Sequence, residues 1–140
     1  MKQYEDFKIM EKIGIEKYKD TNFCTVVAVA TVTGLSFARA RRKMEKVGRK
    51  HRCGTYQRQY HDVITRQGYE IKPCYEILIG RTVNSVVGNL PKKGTFLLLT
   101  RQHVATVVDG VINDHTTPEI NGGPSRRIVK RIHQVTKKEA

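Results

Sequence analysis

Cys24, His103 and Asp114 are residues of the types that make up a nucleophile, a base and a base-orienting acid, and they lie far apart along a chain of 140 residues. The relation between the last two follows from hairpin arithmetic. Asp109-Gly110 stands between two β-branched runs, the composition of a two-residue hairpin turn. Val108 then faces Val111, and pairing continues as Val107 with Ile112, Thr106 with Asn113 and Ala105 with Asp114. Side chains alternate along a strand, so His103, Ala105, Val107, Ile112 and Asp114 share one face, while Val104, Thr106, Asn113 and His115 share the other. His103 and Asp114 become diagonal neighbours with backbones roughly 7 Å apart, a gap an imidazole–carboxylate hydrogen bond can span. Ala105 between them leaves the space open. Asn113 falls on the opposite face, and Asp109 is explained by the turn itself.

A histidine oriented by a carboxylate supplies half of a nucleophile-activating system, and a thiol on the other ring nitrogen completes it. Cys24 opens a run, Thr25 to Val32, that is apolar on every side and ends at Thr33-Gly34. Its β-branched content favours a strand; its length, the terminal glycine and the polar Thr21 and Asn22 before it favour a central helix. Periodicity does not separate the two. As a helix, the run puts Cys24 in the first turn, where unpaired N–H groups and the macrodipole favour a thiolate. The same N–H groups can hold the oxyanion of a tetrahedral intermediate, with the Asn22 amide as a further donor.

The elements that position these residues follow from local signals. Residues 1–20 mix charge with Tyr4, Phe7, Ile9, Met10, Ile13 and Ile15, and Gly14 interrupts them, which predicts a strand or extended arm packed on the body. Ser36 caps a helix over residues 37–47 that Gly48 stops, and Thr55 caps another over 56–67 that Gly68 stops. A short strand at 69–72 precedes Pro73, and a short helix covers 83–90. The chain then turns to β: strands at 95–100, 103–108 and 111–115, and a last one at 127–135. The expectation is a single α+β domain with an arm at 1–20, a mainly helical half at 21–90 and an antiparallel β half at 91–140.

The succession N-F-C-T-V-V-A, G-L-S-F-x-x-A, G-T-Y and R-x-H-V-A-T-V-V-D-G-V-I-N-D-H, spanning residues 20 to about 116, resembles the small papain-like cysteine peptidase domains, particularly bacteriophage-encoded ones akin to bacteriocin-leader peptidases. The resemblance implies a papain-like fold in which a buried helix packs on the sheet. It also implies a Cys24 nucleophile, a His103 general base, an Asp114 that orients it and a peptide or isopeptide substrate. Papain relatives carry a glutamine about six residues before the cysteine as oxyanion donor; Tyr18 stands there, so Asn22 or a backbone N–H must substitute.

Charge supplies the competing reading. Lys and Arg number 26 against 13 Asp and Glu, a net +13 whose field favours polyanions without specifying a fold. One basic cluster holds Arg41, Arg42, Lys46, Arg49, Lys50 and Arg52, a second runs over residues 126–138, and Tyr56 and Tyr60 can stack on bases or pack on the core. No helix-turn-helix or RNP signature accompanies them. The alternative is therefore an inactive basic protein binding nucleic acid nonspecifically, or an acidic host protein. His51, Cys53 and His61 do not have zinc-ligand spacing, and His115 and His133 read as exposed polar residues, so neither metal nor cofactor is expected. The three cysteines form no CxxC pair, the N-terminal segment has no apolar signal core and no stretch is apolar enough to span a bilayer. These features predict reduced thiols, no membrane and a cytoplasmic location, in the host cytoplasm if the chain is phage-encoded.

Overall fold

The computed structural model describes residues 4, 7–18, 24–48, 57–101, 103–113 and 127–138. The run that begins at Cys24 is a helix, α2 (Cys24–Thr33), with every residue from Thr25 to Val32 buried. Burial on all sides requires cover on all sides. Helices α3 (Phe37–Lys46) and α4 (Gln57–Arg66) pack against it, and so does the sheet. That cover overrides the strand preference of its valines. Thr31 and Thr33 donate their hydroxyls to the carbonyls of Val27 and Val29, at 2.7 and 2.6 Å, so the helix buries threonines without orphaning their oxygens.

Ser36 caps α3 by accepting from the Arg39 N–H at 3.2 Å, and Phe37, Ala40, Arg41 and Met44 form its buried stripe. Gly48 ends that segment with φ +106, and a Cβ there would meet Gln59 Nε2 at 3.0 Å. The extended arm expected at the N-terminus is instead a helix, α1 (Phe7–Lys12), continued by a π-helical turn over Ile13–Lys17. Phe7, Met10 and Gly14 are its buried residues. Their spacing of three and four is helical, and Gly14 belongs to the packed stripe rather than interrupting it.

Among the described residues five strands form one antiparallel sheet: β1 (Tyr69–Pro73), β2 (Thr95–Thr100), β3 (His103–Val108), β4 (Val111–Ile112) and β5 (Arg131–Lys137), in the order β1-β5-β2-β3-β4. A short helix, α5 (Val83–Asn89), capped by Thr82, precedes β2. The fold is α+β. Edge strand β1 comes from the otherwise helical half of the chain, and β5 inserts between it and β2. The Asp109-Gly110 turn has φ values of 51 and 82, and Val108 faces Val111 and Val107 faces Ile112. The Asn113 N–H donates to the Thr106 carbonyl at 2.9 Å, extending the register expected from the sequence.

The two faces of the sheet have separate cores. Leu97, Val104 and Val135 join the cluster of α1 to α4. Phe96, Leu98, Ala105, Val107 and Ile132 join Leu78, Val83, Val86 and Val129 on the other side. No helix among the described residues is long and apolar enough to cross a membrane.

Candidate active site

Cys24 is the first residue of α2 and half-buried, and His103 is the first residue of β3 and buried. Their relative height follows from two contacts at the far end of the helix. Asn113 Nδ2 donates to Thr31 Oγ1 at 2.8 Å, which sets Thr31 level with the Thr106–Asn113 position of the hairpin. Beyond it, a cleft of about 480 Å³ lies between Thr31, Thr33 and Gly34 of the helix end and Thr95, Val108 and Asp109 of the sheet. The helix therefore runs the same way as β3. Seven residues of helix and three of strand each rise roughly 10 Å, which returns Cys24 to the level of His103.

The faces are less simple. Leu99 pairs with Val104 and Leu98 with Ala105, and these pairs belong to opposite cores. Thr100 pairs with His103, so the register puts His103 on the Ala105 face, whereas α2 covers the Val104 face. Cys24 and His103 thus share one end of the sheet, and an imidazole that meets the thiol must reach it around the strand's first residue. Asn113, on the helix-covered face, is a structural clasp: its Oδ1 accepts from the Phe7 N–H at 2.6 Å while its Nδ2 donates to Thr31. Asp109 accepts from the Gly94 N–H through Oδ1 at 2.9 Å and serves the turn. Asp114, Asn22, His51, Cys53, His115, Tyr56, Arg49, Lys50 and Arg52 lie outside the described residues.

Among the basic residues, Arg41 is not displayed. It is buried, its Nη1 donates to Glu45 Oε1 at 2.6 Å, and its guanidinium lies 4.3 Å from the Tyr18 ring centroid. Arg42 and Lys46 are exposed. Tyr18 is occupied on its other contacts too, tilted against Phe37 with ring centroids 6.1 Å apart.

The helix-covered face carries a polar group that the sequence reading did not anticipate. His133, expected to be exposed, is buried, because β5 is an interior strand flanked by β1 and β2. Its ring meets that of His61 on α4 edge-on, 5.1 Å between centroids, and His61 in turn meets Tyr60 at 4.9 Å. Tyr60 is only 3% exposed, which removes it from any base-stacking role. Tyr60 Oη, His61 Nε2, His133 Nδ1 and Thr106 Oγ1 are all buried with no hydrogen-bond partner among the described residues. Burial, then the facing His133, pushes His61 from 6.5 down to about 4. Burial, then the charge of Arg131, also holds His133 below the usual imidazole range. Burial, then the nearby Cys24, raises Tyr60 far above the ordinary phenol range, against an opposing effect of Arg131. Both imidazoles are therefore neutral and the phenol keeps its proton at neutral pH. Among the described residues no group of three or more His, Cys, Asp or Glu side chains can hold a metal ion.

Comparison with protein-family models, curated proteins and solved structures finds no match to this chain.

Proposed function

We propose that the chain is a cysteine peptidase-like hydrolase of papain-like architecture, acting by acyl transfer on a peptide or isopeptide bond. The observation that supports this most directly is the placement of a half-buried cysteine on the first turn of a buried helix that packs on β3, the strand that His103 opens, with the imidazole reaching it from the face that α2 does not cover. Cys24 is the nucleophile, His103 the base that takes its proton, and Asp114 the acid that orients the imidazole. The thiolate attacks the carbonyl carbon, the imidazolium returns the proton to the leaving amine, and water releases the acyl group. The backbone N–H groups in the first turn of α2 are aligned with the helix dipole, where they stabilise negative charge on the carbonyl oxygen.

Alkylation with iodoacetamide at mildly acidic pH, read by peptide mass mapping, tests the reading. Cys24 is modified ahead of Cys53 and Cys74, and His103→Ala removes the preference. The Cys74 thiol is pushed up by burial and lies 3.9 Å from the Ile132 carbonyl, so it is a fit internal reference. Equal labelling of the three thiols in the folded protein would exclude the peptidase reading. A second reading, a basic binding module, is favoured by the exposed Arg39, Arg42 and Lys46, which helical spacing brings to one side of α3. Its signature is a gel shift with DNA or RNA that weakens steeply as salt rises.

A further inference from the structure

We propose that the cleft at the carboxy-terminal end of α2 binds an organic cation, a guanidinium or alkylammonium group carried on an apolar stem. The cleft holds about 480 Å³, within the range of small-ligand sites, and it opens to solvent at the exposed Gly34, Asp109 and Val111. From Cys24 to Thr33 the helix rises about 13 Å, so the cleft lies at the far end of α2 from the thiol and its occupancy does not depend on chemistry there.

The chain carries 26 Lys and Arg, yet none of them lines this cleft, and the one charged residue that does is Asp109. Its carboxylate is held in place by a reciprocal pair of bonds to Gly94: Oδ1 accepts from the Gly94 N–H at 2.9 Å, and the Asp109 N–H donates to the Gly94 carbonyl at 2.9 Å. No Lys or Arg among the described residues pairs with that carboxylate; Lys92, whose stem lies against Gly110, forms no ion pair with it.

The opposite wall adds negative potential without a side-chain charge. α2 ends there, and among the described residues the carbonyls of Thr31, Val32 and Thr33 accept no backbone hydrogen bond, so the negative end of the helix dipole stands uncompensated. Thr31 and Thr33 spend their hydroxyl hydrogens on the Val27 and Val29 carbonyls, and what these two side chains can present to a ligand is a lone pair. Tyr4 and Tyr69 supply aromatic surface, where a cation gains from the negative face of a ring and its stem from apolar contact. An anion would meet a carboxylate on one wall and a helix carboxy terminus on the other; a cation meets acceptors on both. The net +13 of the chain opposes a cation at long range, but at physiological salt that field is screened beyond roughly 8 Å, so the groups lining the cleft set the local potential.

The probes are n-butylguanidinium and its uncharged isostere n-butylurea, each titrated at physiological salt into the isotope-labelled chain and followed by backbone amide resonances. n-Butylguanidinium is expected to shift the amides of Thr33, Gly34, Asp109 and Val111 with a dissociation constant of about 1 mM, and n-butylurea to bind at least about tenfold more weakly. Asp109→Asn keeps the turn, because Asn-Gly suits it equally and the side-chain oxygen still accepts from Gly94; it is expected to weaken n-butylguanidinium roughly five- to tenfold and to leave n-butylurea unchanged. Val111→Lys, at a half-exposed position on edge strand β4, sets a tethered ammonium at the cleft and is expected to abolish the n-butylguanidinium shifts. A blocked tripeptide with arginine at its centre distinguishes the sources of the group: binding at least as tight as that of n-butylguanidinium assigns the cleft to an arginine side chain of a protein, weaker binding to a free small cation. Equal affinity for n-butylguanidinium and n-butylurea would overturn the assignment. So would an n-butylguanidinium affinity unchanged in Asp109→Asn, or no shift of the cleft amides with that probe on the order of 20 mM.

Discussion

Acidifying the solution from pH 7 to pH 4 is expected to cost the fold roughly 3 kcal/mol through His61 alone, about two-thirds of it by pH 5. His61 is pushed down from 6.5 to about 4, so below pH 6.5 the unfolded chain binds a proton that the folded chain refuses. Its stabilising contribution is complete above pH 6.5 and is lost as pH falls toward 4. His133 is lowered as well and adds to the loss in the same direction. The groups that face the pair are Tyr60 on α4, Arg131 on β5 and, beyond Tyr60, Cys24 on α2; no carboxylate is among the causes of either shift. The assay is urea unfolding followed by far-ultraviolet circular dichroism at pH 7, 5 and 4, for the parent chain and for His61→Gln. Carboxylate titration is common to both and cancels in the difference. The variant should lose roughly 2 kcal/mol less than the parent between pH 7 and 5. Parallel losses in the two proteins would refute the argument that His61 is held neutral by its surroundings.

Asn113→Ala removes the acceptor for the Phe7 N–H and the donor to Thr31 in one change, and is expected to cost about 2–4 kcal/mol, measured as a shift in urea midpoint with unchanged slope. Arg41→Ala is expected to lower stability by about 1–2 kcal/mol through the lost Tyr18 and Glu45 contacts, with no change in affinity for DNA at fixed salt. The double variant Arg42→Ala, Lys46→Ala should show the reverse, weaker electrophoretic shifts with an unchanged melting temperature. Gly48→Ala forces a side chain into φ +106 and against Gln59, and is expected to cost at least about 1 kcal/mol by thermal denaturation.

Much of the scaffold was legible because its signals are local. Ser36 and Gly48 bracket α3, Gly68 follows α4, and Asp109-Gly110 dictates the register of β3 with β4 down to the Thr106–Asn113 step. What the sequence left open was decided by tertiary cover. The run after Cys24 carries no periodicity because all its sides are buried, so only the packing of α3, α4 and the sheet makes it a helix. Alternation along β3 divides its residues between two faces, but nothing in the sequence says which face α2 covers; the helix lies on the side of Val104 and Asn113. His133 reads as exposed because polar residues alternate around it, and only the insertion of β5 between β1 and β2 buries it. Tyr60 was partly legible: with Val63 and Ile64 it forms an apolar stripe at helical spacing, a signal for the core.

The Asn113 clasp ties together parts of the chain made at very different times. Phe7 lies 106 residues before Asn113, and Thr31 lies 82 residues before it. During synthesis, the clasp cannot close until the hairpin has left the ribosome, so the Phe7 amide and the Thr31 hydroxyl meet Asn113 only after the helices between them have been made.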